Sequence, residues 1–205
     1  MKHLSDTSRR QKILFIISGS SGVGKTTLCE MILKRGLGLS YSISFTSRPK
    51  RPQEQDGENY HFVSPGEFQK MVDEKRFVEY NEVHGCFYGT SRDELEQALK
   101  SQDDVLLEVD VHGALRVKES FKDRCVLIFI APPRSDELKS RLWKRGAESA
   151  ADIEHRLKRV SEESGMTSSY DFCVINDDLD KSVGLIECVI KAERCRTLRL
   201  AARED

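Results

Sequence analysis

The residues best suited to chemistry in this chain form one glycine-rich segment. Residues 19–27 read Gly-Ser-Ser-Gly-Val-Gly-Lys-Thr-Thr, and they contain the phosphate-loop pattern G-x-x-x-x-G-K-[ST]. Glycines let successive backbone N–H groups turn around phosphate oxygens, and a helix that begins near Lys25 adds the positive end of its dipole. Lys25 can reach the β- and γ-phosphates, and the Thr26 hydroxyl can ligate Mg²⁺. We therefore predict a nucleoside triphosphate site that comprises Gly19, Ser20, Ser21, Gly22, Val23, Gly24, Lys25, Thr26 and Thr27.

The elements around this segment fit the same prediction. Apolar runs predict four strands, at 13–17, 105–109, 126–130 and 172–175. Segments with helical spacing lie at 25–35, 92–101, 134–144, 150–164 and 180–195. Strands that alternate with helices predict an α/β doubly wound parallel sheet, in which ligands bind at the carboxyl ends of the strands. The first strand leads directly into the phosphate loop, as this rule requires.

The stretch from 41 to 90 has a different pattern. Polar and apolar residues alternate in it, and turn pairs such as Asp56-Gly57 and Pro65-Gly66 interrupt it. This pattern predicts a small inserted lobe of antiparallel strands with one short helix at 65–75. The core is then expected to comprise 12–40 and 91–194.

Composition limits the remaining possibilities. The 205 residues suffice for one well-buried core with a small inserted lobe. Lysine and arginine number 33 against 34 aspartates and glutamates, so no overall basic field favours nucleic acid. The six cysteines include no C-x-x-C pair, which predicts reduced thiols and a cytoplasmic location. No run approaches the roughly 18 apolar residues that span a membrane.

The two ends of the chain carry no recognisable chemistry. Residues 1–12 are polar and lack the apolar centre of a secretory signal, so we expect a loose arm there. The last fifteen or so residues are rich in arginine, and we expect them to prolong the final helix. We treat 1–11 and 195–205 as tails.

A phosphate loop alone does not distinguish a kinase from a GTPase or a motor, but the inserted lobe does. Residues 44–62 (Ser-Phe-Thr-Ser-Arg-Pro-Lys-Arg-Pro-Gln-Glu-Gln-Asp-Gly-Glu-Asn-Tyr-His-Phe) closely resemble the segment by which guanylate kinases hold GMP. Residues 77–80 with 88–90 resemble the second half of that site, and 106–113 and 174–178 resemble two further signatures. With the phosphate loop, five motifs follow one another in order over residues 12–194. The chain thus resembles the guanylate kinase family.

The resemblance implies a phosphate-loop nucleoside monophosphate kinase. Its fold would be a parallel doubly wound core sheet with an inserted small mixed β lobe, which binds GMP, and a helical lid over about 134–165. The implied reaction is ATP + GMP ⇌ ADP + GDP with Mg²⁺, in guanine nucleotide synthesis and recycling. The implied partners are therefore small-molecule nucleotides, with neither nucleic acid nor membrane.

The residues of the implied GMP site also suit their task chemically. Arginines and tyrosine hydroxyls can hold a phosphate dianion, and the candidates are Arg48, Arg51, Tyr60 and Tyr88. Guanine presents adjacent N1–H and N2–H donors, which match one carboxylate, and we assign that part to Glu79. Its O6 atom needs donors, which Ser44 and Thr90 could supply. Glu54 and Glu108 resemble family positions in the same cleft, where each would accept from an arginine or from the base.

Two acidic residues end the strand at 105–109 and compete for one role. Asp110 is our choice for holding Mg²⁺, together with Thr26, and Glu108 is the alternative, because residues two apart lie on one face of a strand. His112 follows them, and we interpret it as a helix-start residue, because the reaction needs no histidine base.

Further arginines resemble those of the family's lid. Arg145 and Arg156 are predicted to act with Lys25 and Arg48 in catalysis, since an arginine aimed at the γ-phosphoryl oxygens stabilises the charge of the transition state. Arg141 is predicted to contact ATP, and Asn176 resembles the family's adenine contact. Arg159 is assigned to a solvated helix face.

Three alternatives remain open from the sequence. A non-catalytic guanylate-kinase-like interaction module commonly has an eroded phosphate loop, whereas Lys25 and Thr26 are intact here. A kinase for a related monophosphate, such as dGMP or IMP, would keep most of the same residues. A GTPase is the third alternative, but the chain lacks an N-K-x-D segment and that interpretation does not account for the lobe.

Overall fold

The structure, a computed structural model, describes residues 10–20, 22–83, 85–101, 103–132 and 165–199. Its larger sheet consists of β1 (Leu14–Gly19), β2 (Leu39–Tyr41), β7 (Asp104–Glu108), β8 (Cys125–Ala131) and β9 (Phe172–Ile175). The strands lie in the order β2-β7-β1-β8-β9, and every neighbouring pair is parallel. Four helices accompany this sheet: α1 (Lys25–Leu33), α3 (Arg92–Ala98), α4 (Val111–Phe121) and α5 (Leu179–Arg194). The predicted α/β doubly wound sheet is confirmed.

The helices cover both faces of the larger sheet. Successive side chains of a strand point to opposite faces, and both sets in β1 are fully buried. Phe15 and Ile17 pack with residues of α1 and α5, whereas Leu14 and Ile16 pack with residues of α3 and α4. This two-sided burial explains why the core strands read as nearly continuous apolar runs.

A second, smaller sheet forms the lobe. It contains β3 (Phe45–Thr46), β4 (His61–Phe62), β5 (Phe77–Val83) and β6 (Cys86–Ser91), with α2 (Pro65–Asp73) packed against it. The order is β4-β3-β6-β5, in which β3 and β4 are parallel while the other pairs are antiparallel. A purely antiparallel lobe was therefore wrong, and the mixed lobe implied by the resemblance is confirmed.

One strand of the core was not predicted, and one helix was predicted only by its start. The strand β2 has only three residues, all half-buried, so no apolar run marks it, and the stretch predicted as lobe from residue 41 begins on a core strand. The helix α4 buries Val111, Ala114, Val117 and Phe121, a spacing that indicates a helix. The interpretation of His112 as a helix-start residue is confirmed, but the extent of the helix was not predicted. The predicted helices at 134–144 and 150–164 lie outside the described residues.

The first and last described residues pack against the core. The guanidinium of Arg10 donates to both carboxylate oxygens of Asp104 at 2.6 Å, and Arg194 Nε donates to the same carboxylate at 2.7 Å. Arg199 is 2% exposed and donates to Glu193 Oε2 at 3.0 Å. A loose arm was thus wrong for residues 10–12. The final helix ends at Arg194, so its predicted extension through the last fifteen residues was also wrong.

Candidate active site

The phosphate loop joins the end of β1 to the start of α1. Gly19 and Gly24 have φ values of 142° and 100°, and a Cβ atom on Gly19 would lie 2.3 Å from the carbonyl oxygen of Ile130. Both positions therefore require glycine. Lys25 Nζ donates to the carbonyl oxygens of Gly19 and Ser20 at 2.7 and 3.2 Å, so the ammonium lies on the loop itself.

Asn176 supports the loop from behind. It follows β9, is 2% exposed, and donates from Nδ2 to the carbonyl oxygen of Val23 at 2.8 Å. This bond shows how the carboxyl end of β9 fixes the loop's backbone. The contact of Asn176 with adenine stays a prediction.

The two competing carboxylates at the end of β7 have different neighbours. Thr26 Oγ1 donates to Glu108 Oε1 at 3.0 Å. Asp110 is the N-cap of α4, where its Oδ1 accepts from Gly113 N at 2.6 Å and its Oδ2 accepts from Asn81 Nδ2 at 2.7 Å. The geometry therefore favours Glu108, the alternative, as the partner of Thr26. Burial raises the pKa of Glu108, while Lys25 and the Thr26 hydroxyl act in the opposite direction.

One end of the lobe gathers cations and hydroxyls. Arg48 donates to Glu54 through two bonds of 3.1 and 2.7 Å, and its guanidinium lies over the rings of Tyr60 and Phe62 at 5.6 and 5.7 Å. The bonds from Arg48 hold the pKa of Glu54 below its usual value. Burial raises the pKa of Tyr60, so its hydroxyl remains a hydrogen-bond donor at neutral pH.

The other end of the lobe holds one buried carboxylate. Glu79 lies on β5, is 7% exposed, and accepts from Thr90 Oγ1 at 2.6 Å. Arg116 Nη2 of α4 lies 3.7 Å from Glu79 Oε2. The pKa of Glu79 is raised to about 7, mainly by burial. The hydrogen bond from Thr90 and the charge of Arg116 lower this pKa, whereas the charge of Asp110 raises it.

Two adjoining cavities unite these groups in one cleft between lobe and core. The first, of about 270 Å³, is lined by Lys25, Ser44, Glu79 and Asp110, among others. The second, of about 400 Å³, is lined by Thr26, Arg48, Arg51 and Glu54, among others. The residues common to both are Tyr41, Asn59, Tyr60, Tyr88 and Glu108. A polar cleft with an acidic end at Glu79 and a cationic end at Arg48 thus opens beside the phosphate loop.

Comparison with known proteins assigns this arrangement to a family. The sequence model described as guanylate kinase matches residues 11–193. The chain belongs to the guanylate kinase family. It is 44% identical to the guanylate kinase of Caldanaerobacter subterraneus subsp. tengcongensis over 191 residues, which are 93% of this chain and 92% of that protein. The guanylate kinase of Thermotoga maritima is 39% identical over 91% of this chain and 89% of its own.

A solved guanylate kinase has the same fold. The crystal structure of the enzyme from Anaplasma phagocytophilum matches with a TM-score of 0.76 and 29% identity, over 94% of this chain and 90% of that one. The phosphate-loop kinase fold implied by the sequence is therefore confirmed.

The cleft brings together most of the site residues predicted for this chain. Eleven of them line its two cavities: Lys25, Thr26, Ser44, Arg48, Arg51, Glu54, Tyr60, Glu79, Tyr88, Glu108 and Asp110. Thr90 lies behind Glu79, Ser20 and Val23 form the loop, and Thr27 is exposed on α1. Ser21, Arg141, Arg145 and Arg156 lie outside the described residues.

Three neighbours of the cleft were missed from the sequence. Tyr41 lines both cavities from β2, a strand that itself was not predicted. Asn81 could have been found, because it lies two residues after Glu79 and hence on the same face of β5. Arg116 could not, because it reaches Glu79 only through the packing of α4 against β5.

In the described part of the chain, no three or more His, Cys, Asp or Glu side chains are grouped so as to hold a metal ion. None of the helices in the described ranges combines the length and apolar character required to cross a bilayer.

Proposed function

We propose that this chain transfers the γ-phosphoryl group of ATP to GMP, giving ADP and GDP. The observation that carries the proposal is a buried carboxylate, Glu79, in a cavity that opens beside a phosphate loop. Membership of the guanylate kinase family supports this reaction, and curated relatives with that enzyme's name favour a catalytic chain over a non-catalytic module. The same membership argues against a GTPase.

The cationic end of the cleft suits the phosphate of GMP. Arg48 and Arg51 provide guanidinium groups, and Tyr60 and Tyr88 provide hydroxyl donors, within one cavity. Glu54 accepts from Arg48 and from the backbone N–H of Arg51. Its role is therefore to orient the first arginine rather than to contact the base.

The acidic end suits guanine. Glu79 in its charged form accepts from N1–H and N2–H, and Ser44 donates to O6. Thr90 donates to Glu79 in the structure, so we assign it the task of orienting that carboxylate. Adenine would leave buried polar groups unpaired, which supports discrimination of up to roughly 10⁴–10⁵. IMP lacks the N2 donor and loses one bond, so we expect it to be a weaker acceptor.

The donor side lies at the phosphate loop, and its residues fit Mg²⁺. The Thr26 hydroxyl and the Glu108 carboxylate are 3.0 Å apart, and both are oxygen ligands of the kind that this ion prefers. We therefore propose that Thr26 binds Mg²⁺ directly and that Glu108 binds it through a water molecule. Asp110 is then assigned to the pocket that holds Glu79. When bound, Mg²⁺ would neutralise charge on the transferring phosphates.

Catalysis by this chain's own residues is then positioning and charge neutralisation. The attacking atom is a phosphate oxygen of GMP that is already ionised at neutral pH, so no general base is required. Lys25 leaves the carbonyl oxygens of its loop to contact the β- and γ-phosphates, while Arg48 holds the acceptor phosphate. Arg145 and Arg156 remain the predicted transition-state arginines, and Arg141 a predicted ATP contact.

We also propose a cytoplasmic location. All six cysteines are free thiols in the structure, which is the state expected in a reducing compartment. Fractionation of cells that express the tagged chain would test this location.

A coupled assay of ADP release tests the proposed reaction. The purified chain should turn over GMP with ATP and Mg²⁺, dGMP and IMP less well, and AMP, CMP and UMP hardly at all. Lys25→Ala, purified in the same way, is the control against a contaminating kinase from the host. Equal turnover of AMP and GMP would contradict the assignment of Glu79, and no turnover of any acceptor would contradict the function.

A further inference from the structure

The environment of Glu79 opposes its charge. The carboxylate is 7% exposed, and a second carboxylate, Asp110, lies beside it. A Cβ atom on Gly113 would lie 2.8 Å from Glu79 Oε2 and 3.1 Å from Asp110 Oδ1, so the two acidic groups approach the same point. Burial and a nearby like charge both favour the protonated form of a carboxyl group.

Guanine recognition requires the opposite form. A charged carboxylate accepts two hydrogen bonds, from N1–H and N2–H, whereas a protonated one presents a donor of its own. Something in the pocket must therefore support the negative charge of Glu79 at neutral pH.

Arg116 supplies a positive charge at the right place. It lies on α4, and its Nη2 donates to the carbonyl oxygen of Tyr80 at 3.0 Å and lies 3.7 Å from Glu79 Oε2. The bond to Tyr80 fixes the guanidinium next to the strand that carries Glu79. Its Nε is buried with no hydrogen-bond partner among the described residues, while the side chain as a whole is 42% exposed.

The other groups that face Glu79 cannot replace this charge. From β6 the neutral Thr90 hydroxyl donates to it, and from the connection before α4 Asp110 repels it. His112, also on α4, is exposed. Lys25 lines the same cavity but donates to the carbonyl oxygens of its own loop. Among the described residues, Arg116 is thus the cation within ion-pair distance of this carboxylate.

We propose that Arg116 is a positioning residue for acceptor specificity, which keeps Glu79 charged and directed at guanine. The inference rests on the proposed role of Glu79 in binding the base. Arg116 lies on α4, whereas Glu79 lies on β5. The packing of this helix against this strand therefore contributes to the affinity for GMP.

Steady-state kinetics of Arg116→Gln and Arg116→Lys test the proposal between pH 6 and 9. For Arg116→Gln we expect KM for GMP to rise about fivefold at pH 7, because one pKa unit of lost charge stabilisation lowers the charged fraction of Glu79 from about one half to about one tenth. The value of kcat and KM for ATP should stay within about twofold, because the lost contact acts on ground-state binding of the acceptor. The acid limb of kcat/KM for GMP should move to higher pH, and Arg116→Lys should restore much of it.

Two further variants separate the possible outcomes. Arg35 is a matched arginine, 48% exposed and 3.9 Å from Asp180, and Arg35→Gln should behave like the unchanged protein. In the Glu79→Gln background, Arg116→Gln should have no further effect on GMP. An equal loss in both backgrounds, or a loss that is the same at every pH, would overturn the proposal. Glu79→Gln without effect on GMP would instead overturn the proposed base site.

Discussion

Replacement of Glu79 by Gln should lower activity and raise stability, because the burial that suits this residue to base recognition also opposes its charge. Burial raises the pKa of Glu79 from 4.5 to about 7. The folded protein therefore binds a proton at Glu79 more tightly than the unfolded chain does. The stability that the neutral carboxyl provides is complete below pH 4.5 and is lost as pH rises through about 7.

The structure sets the size of both effects. A shift from 4.5 to about 7 corresponds, at 1.36 kcal/mol per unit, to about 3 kcal/mol of unfolding free energy at pH 8. Gln has the same shape, carries no charge, and can still accept from Thr90, so the variant should be more stable than the parent by up to that amount. In the GMP complex, one guanine donor would face an amide N–H₂ group. The cost of about 1–3 kcal/mol should lower kcat/KM for GMP by about 5- to 150-fold.

Urea unfolding at pH 4.5 and pH 8, beside the coupled assay, measures both effects. The two proteins should have similar stability at pH 4.5, and the variant should be more stable at pH 8. Glu82→Gln, on the same strand but exposed, should follow the parent at both pH values. A Glu79→Gln variant that is less stable at pH 8 would show that Arg116 and Thr90 outweigh burial, and would refute the reasoning.

Further substitutions test the other assignments. Lys25→Ala should abolish turnover while calorimetry shows unchanged GMP affinity; an equal loss of both would contradict separate donor and acceptor sites. Glu108→Gln should raise the Mg²⁺ concentration required for half-maximal activity more than Asp110→Asn does. Asp110→Asn should mainly raise KM for GMP. The reverse pattern would favour Asp110, our first choice, as the residue that holds Mg²⁺. In thermal melts, Asp104→Asn should lower the unfolding free energy by about 3–5 kcal/mol, because it leaves Arg10 and Arg194 without their carboxylate. The control Asp103→Asn should change the unfolding free energy little.

The core could be predicted from the sequence because its strands are buried on both faces. The runs at 13–17, 126–130 and 172–175 were found within one or two residues, since complete burial demands an unbroken apolar stretch. The strand β2 could not be found in this way, because its residues are half-buried and it pairs only along one side, with β7. Long-range pairing of so short a segment leaves no local pattern.

The site was predictable where the chemistry depends on residue type, and ambiguous where it depends on contacts. The sequence favoured Asp110 for Mg²⁺ and kept Glu108 as the alternative, because a spacing of two puts both on one face. The deciding contacts come from distant segments, Thr26 on α1 and Asn81 on β5. Arg116 gave no signal at all, since its proximity to Glu79 exists only once α4 lies across β5.

The end of β7 links the two halves of the proposed site. Residues 105–107 of this strand are fully buried between β1 and β2, so its carboxyl end has little freedom to move. From that end Glu108 faces Thr26 on the donor side, while Asp110 turns back to cap α4 and faces the pocket of Glu79. Phosphoryl transfer without a general base depends on the relative position of the two substrates. Since both proposed sites are attached to the end of β7, this buried strand determines that position.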